Sequence, residues 1–234
     1  MSEEIRANLA EVHGRIREAA ARANRRAEEV TLIAVSKTFP AAIVQQAVDG
    51  GALDLGENRV QEAVEKAKQV AANNLRWHLI GHLQANKARA AVLTFDVIHT
   101  IDGVEIARRL DRIAGEEQRR LDVLIQVDLA HEPTKSGAVE TALPAIMESL
   151  DTANHLRLTG LMVLPPFFAE TEKTRPYFRR LREILEAVNR HRPAAKQLTQ
   201  LSMGMSHDFE VAIEEGATMV RVGSAIFGER KHWK

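Results

Sequence analysis

The sequence contains no cysteine. Disulfide bridges, a thiolate nucleophile and cysteine-ligated metals are therefore excluded. It also lacks an excess of charge of either sign. Lysine plus arginine and aspartate plus glutamate number 32 each, for a formal net charge of zero. That leaves no electrostatic case for nucleic acid as the main partner. Local pairs such as Arg25-Arg26 and Arg179-Arg180 read as solvated helix faces. No apolar run approaches the length of a membrane span. The opening Met1-Ser2-Glu3-Glu4 lacks the basic-then-apolar order of a signal peptide. A soluble cytoplasmic protein with no membrane contact is the expectation. There is no Ser/Gly-rich linker or low-complexity tract, so residues 1–234 are expected to form one domain.

What is present is a regular alternation. Of 234 residues, 45% are hydrophobic, enough for one large core. Residues 3 to 29 carry Ile5, Leu9, Val12 and Ile16 at helical spacing. Strand-like segments follow at Leu32–Ser36, Ala52–Leu55, Arg76–Ile80, Val97–His99, Asp122–Asp128, Arg157–Leu164, Gln197–Leu201 and Met219–Val222. Helical patterns lie between them, at about 40–50, 58–73, 84–94, 103–118, 140–151, 172–191 and 206–215. Strict alternation of this kind indicates parallel strands with crossover helices. Eight such units in about 200–250 residues fit an α/β chain folded as a single (β/α)8 TIM barrel, with the first helix as an extra element outside it. A doubly wound open sheet shares the same spacing.

The chemistry-bearing residues gather at the predicted carboxyl ends of the strands, where barrel sites lie. Lys37 closes the apolar run Leu32-Ile33-Ala34-Val35-Ser36. Burial lowers a lysine pKa, and a neutral amine attacks carbonyls to form a Schiff base. At the far end, Met219 to Gly228 reads as a strand turning sharply through Gly223 and Ser224. The preceding Ser202-Met203-Gly204-Met205-Ser206-His207-Asp208 reads as a glycine-containing loop opening a helix. Such loops offer free N–H groups to an anion, and barrels often bind phosphate after strands seven and eight. Ser206 is equally readable as an N-cap and Gly223 as a tight turn. A Schiff-base lysine on the first strand and a phosphate cradle on the last together suggest pyridoxal 5′-phosphate.

Other residues admit two readings. Arg221, inside an apolar strand, needs a partner: a carboxylate near the barrel mouth, or the cofactor ring or phosphate. An arginine donating to the pyridine nitrogen would keep it unprotonated and weaken the ring as an electron sink. Asn58 is an N-cap or a donor toward the ring oxygen. His82 is a packed or capping histidine or a cofactor contact. Lys135, in Glu132 to Gly137, is a solvated charge or a second amine folded over the rim. His78 and His82 are four apart without a third ligand, so no metal site is expected.

The chain resembles the YggS/PROSC family of pyridoxal-phosphate homeostasis proteins. The likeness rests on Val35-Ser36-Lys37-Thr38, Gly56-Glu57-Asn58, Trp77 to Gln84, Lys135-Ser136-Gly137, Gly160-Leu161-Met162, Leu201 to Ser206 and Met219 to Gly228, in matching order over nearly the whole chain. It implies the barrel of the alanine racemase N-terminal domain (fold type III), with Lys37 as the Schiff-base lysine. It implies phosphate contacts from Ser202, Met203, Gly204, Gly223 and Ser224, with Arg221 near the ring. It further implies a carrier without robust turnover, which buffers the cofactor or delivers it to apo-enzymes that require it. Phe39-Pro40 after Lys37 and His207 after Ser206 depart from the common pattern.

Two other functions compete with the carrier. An amino-acid racemase needs an acid/base on each face of the substrate carbon. The one tyrosine, Tyr177, lies in a helical pattern away from the expected rim. The sequence ends at Lys234, so no second domain is expected to cover the site. A Schiff-base aldolase would use the same lysine and phosphate cradle without a cofactor. The helix faces show no decisive apolar patch, consistent with a monomer and leaving a dimer open.

Overall fold

The computed structural model describes residues 2–130 and 136–228. Eight parallel strands form a closed barrel in chain order. They are β1 (Thr31–Val35), β2 (Asp54–Glu57), β3 (Arg76–Leu79), β4 (Val97–Ile101), β5 (Leu121–Val127), β6 (Leu156–Val163), β7 (Gln200–Met205) and β8 (Met219–Val222). Pairing of β1 with β8, through Leu32 opposite Val220 and Ala34 opposite Val222, closes the ring. The open-sheet alternative is thereby excluded.

The helices are α1 (Ser2–Arg22), α2 (Ala41–Asp49), α3 (Val60–Ala67), α4 (Ala88–Thr94), α5 (Val104–Glu116), α6 (Leu143–Asp151), α7 (Arg175–Asn189), α8 (Phe209–Glu214) and the single turn α9 (Ser224–Phe227). Their apolar faces bury against the outer side of the barrel in one large cluster. A smaller plug of Ile33, Val97, Leu124, Met162 and Met219 fills the inside.

The leading helix is shorter than its periodicity implies. It stops at Arg22 because Asn24 takes a left-handed conformation, φ 54°. The Arg25 N–H then reaches back to Ala20 O and the Asn24 N–H to Ala21 O, closing a Schellman turn. Ile5, Leu9, Val12 and Ile16 of α1 are buried, each such side chain contributing about 1.5–3 kcal/mol. They pack over α2, α8 and α9, across the seam where β1 meets β8. Asn8 Nδ2 donates to Ile226 O at 2.9 Å, tying α1 to the turn that bears Ser224.

Two strand ends also differ from expectation. Strand β2 runs on through Gly56 and Glu57, and β7 runs on from Ser202 to Met205. Those stretches read as loop because glycine and polar residues punctuate them. Glu57 Oε1 and Ser202 Oγ find partners inside the fold, so the strands continue. Gly204, at φ 89°, marks a shift of register between Ser202 and Met205. A Cβ there would lie 2.6 Å from Ala212 Cβ and 2.8 Å from Phe209 Cα, so glycine lets α8 pack against β7.

Candidate cofactor site

A cavity of about 570 Å³ opens at the carboxyl ends of the strands. Much of its wall comes from the steps just after the strands: Lys37 after β1, Asn58 after β2, Ile80 after β3, Leu164, Pro165 and Phe167 after β6, Met205 to His207 at the end of β7, and Gly223-Ser224 after β8. Arg221 forms part of the floor, from within β8. The structure thus gathers Lys37, Asn58, Arg221, Gly223 and Ser224 around one space. Lys37 is half-buried there, and Phe39 stacks on Phe227 beside it at 5.1 Å.

Backbone donors converge on one point of this wall. The N–H groups of Gly223 and Ala225 both aim at Ser206 Oγ, at 3.0 and 3.5 Å. Ser206 is not the N-cap of α8, a position that Asp208 occupies. Its hydroxyl instead sits where an anionic oxygen would be received. The site therefore fits a phosphorylated ligand on the geometry of its own donors.

Ser202, Met203 and Gly204 are placed differently from the loop reading. All three are buried within β7 and none lines the cavity. Met203 packs outward into the main core. Ser202 faces the barrel interior, where Arg221 Nη1 donates to its Oγ at 2.6 Å. Arg221 Nη2 donates to Val163 O at 2.9 Å. Burial pushes the Arg221 guanidinium down to about 10, with the Asp208 carboxylate pulling it back up. It remains a cation at neutral pH, held by neutral oxygens rather than by the direct salt bridge that burial suggested. Burial in turn raises the Asp208 carboxyl, which accepts the Met205 N–H at 2.7 Å.

From Ser202 a hydrogen-bonded chain continues through the barrel. Ser202 Oγ meets His99 Nδ1 at 2.8 Å, His99 Nε2 meets His78 Nδ1 at 2.9 Å, and His78 Nε2 meets Asp54 Oδ1 at 2.8 Å. With both imidazoles neutral, the order Arg221→Ser202→His99→His78→Asp54 gives every link one donor and one acceptor. Sequence reading missed His99 and Asp54. The available signal was a histidine inside an otherwise apolar strand, Val97-Ile98-His99.

A second buried cluster underlies Lys37. Glu57 is fully buried, and Ser36 Oγ and Lys66 Nζ both donate to its Oε1, at 2.6 and 2.5 Å. Burial raises the Glu57 carboxyl, with Lys66 opposing. Lys66 shares the buried face of α3 with Val60 and Ala63, a lysine on an apolar stripe that spacing could have exposed.

The remaining candidates lie elsewhere. His82 is exposed, 3.3 Å from Asp102, and does not line the cavity. Tyr177 sits on α7, its ring 6.0 Å from that of Phe168, and also lies outside the cavity lining. Lys135 falls outside the described residues. Among the described residues no cluster of three metal-ligating side chains occurs, and no helix is long and apolar enough to cross a membrane.

The family model for the alanine racemase N-terminal domain matches residues 8–231. The chain is 44% identical over 228 residues to the pyridoxal phosphate homeostasis protein of Pseudomonas aeruginosa, covering 97% of this chain and 96% of that one. The chain belongs to this family. It is 42% identical to the pyridoxal phosphate homeostasis protein of Escherichia coli, covering 99% of each. The structure of PipY of Synechococcus elongatus with PLP bound superimposes with a TM-score of 0.84 at 39% identity, over 96% of this chain and 100% of that one. An alanine racemase from Clostridium difficile shares the fold, with a TM-score of 0.75 at 15% identity over 99% of this chain and 61% of that one.

Proposed function

We propose that the chain binds pyridoxal 5′-phosphate in the carboxyl-end cavity, holds it covalently on Lys37, and serves cofactor homeostasis by storing it or passing it to enzymes that need it. The observation that carries this reading is the placement of an amine, a buried arginine and converging amide donors around one cavity. The relatives' names and the PLP-bound PipY structure support it over a cofactor-free aldolase.

When bound, the cofactor would supply an aldehyde, and Lys37 would offer the amine that condenses with it, releasing one water. Gly223, Ser224 and Ser206 would hold its phosphate. Arg221, kept in place by Ser202 and Val163 O, and Asn58 would hold the ring. Ser202 and Gly204 act from behind the wall: Ser202 orients Arg221, and Gly204 allows α8 to close on β7. Tyr177, the single tyrosine, stands apart from the cavity, which favours a carrier over a racemase with a tyrosine base.

Titration of the purified chain with pyridoxal phosphate tests the reading. A saturable yellow band is expected in the wild-type chain and not in Lys37→Ala, with no turnover of added amino acids. A band of equal strength in Lys37→Ala contradicts the assignment.

A further inference from the structure

Lys37 is flanked by two peptide groups, and side chains from one helix grip both. Lys66 Nζ donates to Ser36 O at 2.7 Å, and the Thr38 N–H donates to Glu62 Oε2 at 3.0 Å. The two gripping residues are one turn apart on α3, with Nζ and Oε2 separated by 3.9 Å. Glu57, at the end of β2, completes the arrangement by binding both Lys66 Nζ and Ser36 Oγ. The Ser36 N–H is held by Gly56 O at 3.0 Å, and Ser36 O also accepts from the Phe39 N–H at 3.1 Å.

Thr38 sits at φ 71°, a left-handed conformation that a β-branched residue adopts only when its surroundings impose it. The strain falls immediately after the residue whose amine must meet an aldehyde. A buried lysine–carboxylate pair is a poor source of stability, since its desolvation cost rivals its attraction. Lys66 and Glu57 are both buried, and neither they nor Glu62 line the cavity. Lys66 and Glu62 contact the backbone on either side of Lys37, and Glu57 holds Lys66 and the Ser36 hydroxyl.

We infer that Glu62 and Lys66, joined through Glu57, are positioning residues: they fix the Ser36–Thr38 turn and so aim the Lys37 amine at the aldehyde of the bound cofactor. This rests on the proposed cofactor site and assigns α3 a part in it. The clamp acts on covalent capture alone. Recognition of ring and phosphate belongs to Arg221, Gly223 and Ser224 on other strands.

The test compares two ligands on the full chain: pyridoxal phosphate, and 4′-deoxypyridoxine 5′-phosphate, which keeps ring and phosphate but has no aldehyde. In Glu62→Ala and Lys66→Met the affinity for pyridoxal phosphate is expected to fall by roughly tenfold to a hundredfold, the scale of a misaimed reacting group. The yellow band should form correspondingly slowly. Affinity for the deoxy compound is expected to stay within about twofold, since no covalent bond contributes to it. Glu62→Gln retains an acceptor for the Thr38 N–H and should recover most of the loss. If Lys66→Met does not fold, because it strands the Glu57 carboxylate, the double variant Glu57→Gln with Lys66→Met removes both charges and is read the same way. Equal losses for both ligands, or no loss for either, overturn the clamp. A wild-type chain that forms no yellow band overturns the cofactor reading, and the clamp with it.

Discussion

Arg221 donates to Ser202 across the inside of the barrel, and the same Ser202 oxygen meets His99. One hydroxyl therefore joins the floor of the cavity to a polar chain that ends at Asp54, on the amino side of β2. Ser202→Ala removes the shared partner and leaves Arg221 Nη1 and His99 Nδ1 buried without it. The expected cost is about 1–3 kcal/mol of folding stability, the scale of unsatisfied buried groups. Denaturant unfolding measures it, and a change within about 0.5 kcal/mol, typical of a surface substitution, contradicts the chain's importance.

The chain makes stability depend on pH. Burial, aided by His78 and Arg221, holds the His99 imidazole well below the usual histidine range. As pH falls below about 6.5 the unfolded chain takes up a proton there that the folded chain does not, so stability drops. Above that pH the contribution is constant. Burial raises the Glu57 and Asp208 carboxyls, which act in the opposite sense nearer their own range. Comparing melting temperatures of wild type and His99→Gln isolates the imidazole. The wild-type advantage is expected to shrink as pH falls from about 7.5 to about 5.5. An advantage independent of pH contradicts a neutral, buried His99.

Gly204→Ala places a Cβ against Ala212 and Phe209 at a residue with φ 89°. The clash and the strained conformation together should cost about 1–3 kcal/mol and loosen the α8 side of the cavity. A melting temperature equal to wild type would show that β7 and α8 are not as tightly apposed as described.

Ser224→Ala removes one exposed hydroxyl from the phosphate side of the cavity while leaving the turn of α9, anchored by the buried Ile226, intact. Binding of pyridoxal phosphate is expected to weaken by about 1 kcal/mol, near fivefold, the scale of one lost hydrogen bond. Isothermal titration reads the change, and full-strength binding argues against this wall as the phosphate cradle.

Much of this architecture is legible in the chain itself. Runs such as Leu32 to Val35 and Val220 to Val222 alternate with amphipathic helices at barrel spacing, and Lys37 and Arg221 stand out as cations tied to apolar strands. The ends of β2 and β7 were not legible. Gly56-Glu57 and Ser202 to Gly204 look like punctuation, and only the closed barrel supplies Lys66, His99 and Arg221 as partners that keep them in strands. From sequence Ser206 is open between a helix cap and an anion cradle, because its partners Gly223 and Ala225 lie 17 and 19 residues away. The grip of Glu62 and Lys66 on the Lys37 turn likewise spans about one β/α unit, beyond any local pattern.

The most direct measurement is borohydride reduction of the chain saturated with pyridoxal phosphate, followed by peptide mapping. A single stable adduct on Lys37 is the expected result, since Lys37 is the lysine that lines the cavity among the described residues. An adduct carried mainly by another lysine, or none at all, contradicts the account.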